Sequence, residues 1–410
     1  MTRRGALLAL PVLAALGKAQ TGLRDRYFIR YPFDRWAVEG EKAQLRWTVR
    51  LRPAKLSVHQ RLLSRIEIEL DSKEVGARRS RGELVTLLQV EDSSGRRWRA
   101  HDVFDFTQLP QDAKPHSLTH FQDAFLVPGD YFISIAITDS KTGEYSFTRR
   151  PIHVPALRND PLPAAWEGLP SIEFVRVLDI PDSWFQPNVH GRLHLTAGNT
   201  RVDVLMNITA PSVRAFRHNM SVLVPALKIL AGIDGAGGSV GLGLFDLNRR
   251  MFQEQPPARA LDWPKLRPAF AQSQPGVIDA QSLAARRETV TYFRETIGSR
   301  LRTAENAGSP RALIVLSAPA FLGPQLPAET AAQPNPPHTK VFYLRYRALP
   351  ARSPIPDPNP DAAARPLANA LPADDLEHAL KPFEPRVLTA ETPETFRKAL
   401  AAMLLAIQRM

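Results

Sequence analysis

The hydrophobic rhythm of the chain changes once. From Tyr27 to Pro155 apolar and polar residues alternate in short runs. Gln44 to Leu51 sets Leu45, Trp47, Val49 and Leu51 on one side, and Arg65 to Leu70 repeats the pattern. A period of two is that of a half-buried strand. Leu84 to Val90, Arg96 to Val103, Tyr131 to Thr138 and Phe147 to Val154 extend the series. Turn residues separate them at Ser93-Ser94-Gly95, Pro128-Gly129-Asp130 and Lys141-Thr142-Gly143. Roughly six to eight short strands with no helical stretch predict an all-β immunoglobulin-like sandwich over 25–157. The cysteines that mark true immunoglobulin domains are absent, so only the architecture is implied.

Pro151, Pro155, Pro161 and Pro163 interrupt the chain and place a boundary near Leu157. Residues 158–200 read as a linker carrying a strand hairpin, Ser171 to Leu178 and Gly191 to Thr196. After Arg201 the rhythm becomes strand, helix, strand. Val202 to Met206 is an apolar strand, and Val213 to Leu230 carries Val213, Phe216, Met220, Val224, Leu227 and Leu230 at helical spacing. Ser212 is its N-cap and Pro225 its kink. Further strands follow at Ser239 to Phe245, Arg250 to Gln253 (antiparallel), Arg311 to Ser317, Lys340 to Tyr346 and Arg386 to Thr389. Helices are expected over Ala280 to Thr303 and Thr392 to Ile407. This alternation over 201–410 predicts a Rossmann-like, doubly wound α/β domain. Residues 350–372 hold seven prolines and few large apolar side chains, and read as an exposed loop.

Length and composition agree with two folded domains: 410 residues, 44% hydrophobic. Residues 1–19 combine Arg3 and Arg4, an apolar run from Ala6 to Leu16, and Gly17 and Ala19 before a cut at Gln20, the pattern of a secretory signal peptide. No later stretch reaches the roughly 18 consecutive apolar residues of a membrane span. A secreted or periplasmic protein without a transmembrane segment is expected. The absence of cysteine excludes disulfides, thiolate nucleophiles and cysteine-based zinc sites. The net charge of +12 falls to +9 without the signal peptide. That sign favours a protein partner or an anionic glycan or envelope surface. Nucleic acid is not expected for an exported chain, and the basic runs Ala77 to Arg81 and Arg96 to Arg99 read as solvated faces.

The strand–loop–helix segment RVDVLMNITAPSVRAF, Arg201 to Phe216, stands where α/β domains keep their chemistry. From it onward the chain resembles a von Willebrand factor A domain. The whole layout resembles exported proteins of soil bacteria that join a β-sandwich to a divergent domain of that type. The resemblance covers Val202 to Met410 and, more loosely, Tyr27 to Pro155. It implies a divalent ion held by an Asp and two hydroxyls of the first loop, a Thr of a second and an Asp after a later strand. Here Asn207 stands for the Asp, Thr209 keeps a hydroxyl, Pro211 replaces the second, and Ser212 falls one residue late. After Ser317, Ala318-Pro319 replaces the other acid. Magnesium sheds water reluctantly and is normally held by carboxylates, so a degenerate site with no metal and no cofactor is expected.

Other candidates are weaker. His116/His120 and His190/His194 are four apart but lack the Glu of H-E-x-x-H. Gly235 to Gly243 follows a helix and enters a strand, the reverse of a phosphate-binding loop. The acceptor patterns at Asn207 and Asn219 coincide with buried elements, and no nucleophile elbow occurs. The sequence therefore predicts a non-enzymatic, exported interaction or scaffolding module. Asn207, Thr209, Ser212 and Ser317 mark its interaction loops. Two alternatives remain: a metal-dependent adhesion protein using displaced acids at Asp203, Asp246 or Asp279, and an envelope-polymer hydrolase.

Overall fold

The computed structural model describes residues 21–78, 82–108, 117–175, 190–258, 261–273, 286–303, 310–320, 335–336, 338–347 and 374–410. The expected signal peptide, the proline-rich loop, His116 and Asp279 lie outside them. The chain divides into two compact units. One comprises Met1–Lys55, Leu62–Leu157 and Pro170–Arg176; the other comprises Leu56–Arg61, Arg158–Leu169 and Val177–Met410.

The first unit opens with helices α1 (Thr21–Arg30) and α2 (Phe33–Glu39), and a third, α3 (Ser72–Arg78), follows later. Strands β1 (Lys42–Ala43), β2 (Trp47–Leu51), β3 (Lys55–Leu56), β4 (Leu62–Leu70), β5 (Glu83–Asp92) and β6 (Arg97–Asp105) come first. They are followed by β7 (Leu118–Leu126), β8 (Gly129–Asp139), β9 (Tyr145–Val154) and β10 (Ile172–Phe174). One sheet has the order β1-β9-β8-β5-β6, and the other includes β10-β7-β4-β2, with antiparallel neighbours throughout. β4 alternates buried and less buried residues as its sequence requires. β5 is buried on both faces because one face is covered by an aromatic layer. Phe28, Phe33 and Trp36 of α1 and α2 supply that layer, packing on Val85, Leu87, Ala136 and Phe147.

Tyr145 anchors this layer. Its ring stacks on Trp36 at 4.2 Å, and its hydroxyl donates to Glu39 Oε2 at 2.6 Å. Burial, then the Glu39 carboxylate, pushes the phenol up to about 12. Tyr131 and Tyr346 are also pushed to about 12, by burial and then by Asp92 and Glu394 respectively. The folded pKa lies above the ordinary 10.0, so this stability is fully present below pH 10.0 and is lost as pH rises through about 12. An ultraviolet absorbance titration of the folded chain should therefore show these three tyrosines ionising late. Ionisation of all tyrosines at the free-phenol value while the chain stays folded would contradict it.

The second unit contains β11 (Arg201–Asn207), α4 (Val213–Leu230), β12 (Val240–Asp246), β13 (Met251–Ala258), α5 (Trp263–Gln272) and α6 (Arg286–Thr303). They are followed by β14 (Arg311–Ser317), β15 (Thr339–Tyr346), α7 (Asp375–Leu380), β16 (Arg386–Ala390) and α8 (Pro393–Gln408). The sheet order is β13-β12-β11-β14-β15-β16, with β13 antiparallel to β12 and the other pairings parallel. Val202, Val204 and Met206 of β11 join the core that α4 and α8 cover, whereas Leu205 joins a separate cluster with α6 and α7. On α8, Phe396, Leu400, Met403 and Ile407 are buried; a large apolar side chain contributes about 1.5–3 kcal/mol by such burial. Thr392 and Thr395 form a capping box, with Pro393 in the first turn.

This architecture corrects the expected fold class, an all-β immunoglobulin-like sandwich followed by a Rossmann-like, von Willebrand-type doubly wound domain. The chain consists largely of three β-sheets, with eight helices among the described residues. Eight described pairings are antiparallel and four parallel. The first unit is not all-β, because Phe28, Phe33 and Trp36 bury themselves from helices. In the second, regular strand–helix alternation fails at β12, which turns straight back into β13 through residues 247–250, the antiparallel return expected there, with Arg250 at a φ of 50°. Among the described residues no helix lies between β14 and β15. An apolar run reports burial but not the direction in which a strand pairs.

Of the hairpin expected within 158–200, residues 176–189 lie outside the described residues. Ile172–Phe174 pairs with β7, burying Ile172 and Phe174, and Thr196 bridges Asp234. No helix among the described residues is long and apolar enough to cross a membrane.

Candidate functional site

The structure brings the predicted loop residues together where β11 and β14 end, and turns their polar groups on one another. Asn207 is 2% exposed. Its Oδ1 accepts the Thr209 amide at 2.9 Å, and its Nδ2 donates to Ser317 Oγ at 3.0 Å. The amide orientation follows from chemistry: Thr209 N–H can only donate, so Oδ1 faces it. Ser317, fully buried, donates its own hydroxyl hydrogen bond to the Ala318 carbonyl. Thr209 Oγ1 accepts the Leu247 amide at 2.7 Å, and Ser212 Oγ accepts the Ala215 amide at 3.1 Å. The oxygens that the von Willebrand resemblance offers to a cation thus hold backbone amides at the turns after β11 and β12. Exposure resumes at Pro211, Ser212, Val213 and Arg214, where α4 begins.

The displaced acids do not converge. Asp203 pairs in register with Gly241, five residues before Asp246 on β12, so the two stand roughly 17 Å apart along the sheet. Asp203 is fully buried, and its Oδ2 receives Arg311 Nε. Asp246 accepts the Asn248 and Arg249 amides and pairs with Arg249 Nη1 at 3.0 Å. Among the described residues no three His, Cys, Asp or Glu side chains are grouped to hold a metal ion.

Gly235 to Gly243 has a packing role. A Cβ on Gly241 would lie 2.0 Å from Asp203 Oδ1, and one on Gly243 2.6 Å from Leu205 Cδ2. Of the histidines, His120 Nε2 lies 3.1 Å from Asp102 Oδ2, while His190 and His194 are exposed.

Sequence reasoning missed Asp374. Its Oδ1 accepts the amide of Ala320, in the loop where Ala318-Pro319 replaces the expected acid, and also that of Leu376 at the start of α7. Its Oδ2 accepts the Tyr343 hydroxyl at 2.6 Å and lies 3.7 Å from Arg345 Nη1. Burial raises the Asp374 carboxyl, against the opposing pull of the Tyr343 hydrogen bond and the two amides. Burial and the neighbouring Asp374 drive the Tyr343 phenol well above its usual range. Arg345 continues to Glu377 at 2.6 Å and to Thr389 Oγ1 at 3.0 Å. Asp374 lies 54 residues beyond Ala320, past the proline-rich segment, so no local spacing signals the contact.

No family model matches the chain, and no curated protein matches it. Among solved structures, the chain is 11% identical to an X-ray structure of a Northeast Structural Genomics Consortium target, over 28% of this chain and 88% of that one, with a TM-score of 0.19. The putative ApaA protein from Bordetella pertussis gives 13% identity over 28% of this chain and 97% of that one, with a TM-score of 0.18. A family 123 glycoside hydrolase from Clostridium perfringens gives 9% identity over 73% and 65%, with a TM-score of 0.21. Likenesses at these scores carry no argument about fold or activity, and the reading of function rests on the residues themselves.

Proposed function

We propose that the chain is a non-enzymatic, exported interaction module of the cell envelope that engages its partner without a bridging metal. The observation that supports this reading is the contrast at the end of β11. Asn207, Thr209 and Ser317 spend their polar groups internally, while the adjoining start of α4 stays open to solvent. Val213 is 40% exposed, Arg214 lies beside it, and the N-terminus of an 18-residue helix adds partial positive charge. Such a surface suits an acidic protein segment or an anionic envelope polymer.

The test is retention of envelope components on the immobilised chain, with and without EDTA. The expected result is retention unchanged by EDTA and reduced about tenfold, or about 1.4 kcal/mol, by the double substitution Val213→Asp/Arg214→Glu. Release by EDTA would overturn the reading in favour of metal-dependent adhesion. Progressive appearance of soluble polymer fragments would overturn it in favour of a hydrolase.

A further inference from the structure

A cavity of about 280 Å³ lies in the second unit, at the far end of α4 from the loop just described. Pro225 and Lys228 are at least 13 residues along that helix from Ser212, roughly 20 Å at 1.5 Å per residue. Its floor is apolar, made by Leu193, Pro225, Ile229, Leu261 and Trp263. Trp263 begins α5, is half-buried, and stands 6.5 Å from the Phe270 ring, so the floor includes a braced aromatic surface. Around the floor stand His59, His190, Arg192 and Lys228. Arg192 is held in place by the Gly232 carbonyl, at 2.9 Å from Nε and 2.6 Å from Nη2, and by Asp234 at 2.9 Å. Among the described residues lining the cavity none is acidic, and none is a neutral amide or hydroxyl side chain.

We propose that this cavity binds a small amphipathic carboxylate of the arylalkanoate class, its ring on the apolar floor and its carboxylate among the cationic side chains. Size sets the first limit. An apolar cavity of about 150 Å³ accommodates benzene, and this one is roughly twice that, room for a ring and a short acid arm. Lining chemistry sets the second. A sugar acid would bring several hydroxyls to a lining that offers no carboxylate, side-chain amide or hydroxyl to accept their protons, and a buried hydroxyl proton without an acceptor is costly. An aryl ring needs no such partners, and a carboxylate needs only donors. The positive field of the chain favours the anion further.

Calorimetric titration of the full chain with 3-phenylpropionate, 3-phenylpropanol and glucuronate tests this. The acid should bind at least about tenfold tighter than the alcohol, the gain of one or two charge-assisted hydrogen bonds, and tighter than glucuronate. Lys228→Gln, at a half-buried position, should weaken the acid about tenfold and leave the alcohol unchanged, and Trp263→Ala should weaken both. The comparison of the three ligands on the unaltered chain does not depend on any variant folding. Equal affinity for acid and alcohol, tighter binding of glucuronate, or no heat with millimolar phenylpropionate would each overturn the proposal. None of these outcomes bears on the start of α4, so this site and the partner surface fail or stand separately.

Discussion

Arg397→Met is expected to lower the stability of the second unit by about 3–5 kcal/mol, the cost of leaving one member of a buried ion pair without its partner. Arg397 lies on the buried face of α8, its side chain 2% exposed. Its guanidinium grips Asp160 with two bonds, at 2.6 and 2.8 Å, and donates to the Leu162 carbonyl at 2.8 Å. It also lies 4.7 Å from the centre of the Trp166 ring, whose indole N–H donates to the same carboxylate at 2.7 Å. Gln60, from the segment Leu56–Arg61 of this unit, donates to the Pro393 carbonyl at 2.9 Å, and its own carbonyl lies 3.5 Å from Arg397 Nη1. One arginine thus ties two stretches remote in sequence to the last helix. Burial alone would raise the Asp160 carboxyl, but the Arg397, Leu162 and Trp166 hydrogen bonds outweigh it and hold the group below the usual carboxylate range. With the folded pKa lowered, the contribution is present above the unfolded pKa and is lost as pH falls through the folded value. Urea unfolding, with hydrogen exchange of the α8 amides, should show the loss at neutral pH and a smaller difference between variant and wild type in acid. A loss below about 1 kcal/mol would place the pair among inconsequential surface bridges.

Arg311→Met should be comparably destabilising, again about 3–5 kcal/mol, because Asp203 is fully buried on a central strand. Arg311 is 4% exposed and also donates to the Arg300 carbonyl at 2.8 Å. Arg201 Nε lies 3.7 Å from the Asp203 carboxylate and compensates part of the charge. Among the described residues Asp203 Oδ1 has no hydrogen-bond partner, so the contacts of its Oδ2 with Arg311 and Arg201 are what compensate its burial. The double substitution Asp203→Leu/Arg311→Met removes both charges and should recover much of the loss, a coupling measurable in a double-mutant cycle of urea unfolding. No recovery would mean that the two side chains act independently.

Both ion pairs join residues remote in sequence, 108 and 237 positions apart, whereas much of the surrounding fold is written in local periodicity. Periodicity located most strands of both units, since alternation in β4 and the apolar run of β14 follow directly from which faces are buried. It missed α1 and α2, whose aromatic residues cover a sheet face from short helices, and β7, whose run THFQ carries little apolar contrast. The antiparallel return at Arg250 to Gln253 is legible in the sequence, but the doubly wound class is not borne by it, since that hairpin interrupts the strand–helix alternation of the second unit. At the site, Asn207, Thr209 and Ser317 were legible as a group from strand-end positions. Their mutual hydrogen bonds were not, and neither were Asp374 and Asp160, which reach their partners across 54 and 237 residues. Local spacing signals local chemistry; contacts closed by tertiary folding leave no such trace.

Asn207, Thr209 and Ser317 at the end of β11 spend their polar groups on one another and on backbone amides, and the proposed function requires that no ion bridge them. Calorimetric titration of the chain with magnesium, manganese and calcium, the hard cations that oxygen ligands hold, tests this requirement. No saturable binding is expected in the micromolar range. Micromolar binding that is abolished by Asn207→Ala would contradict it.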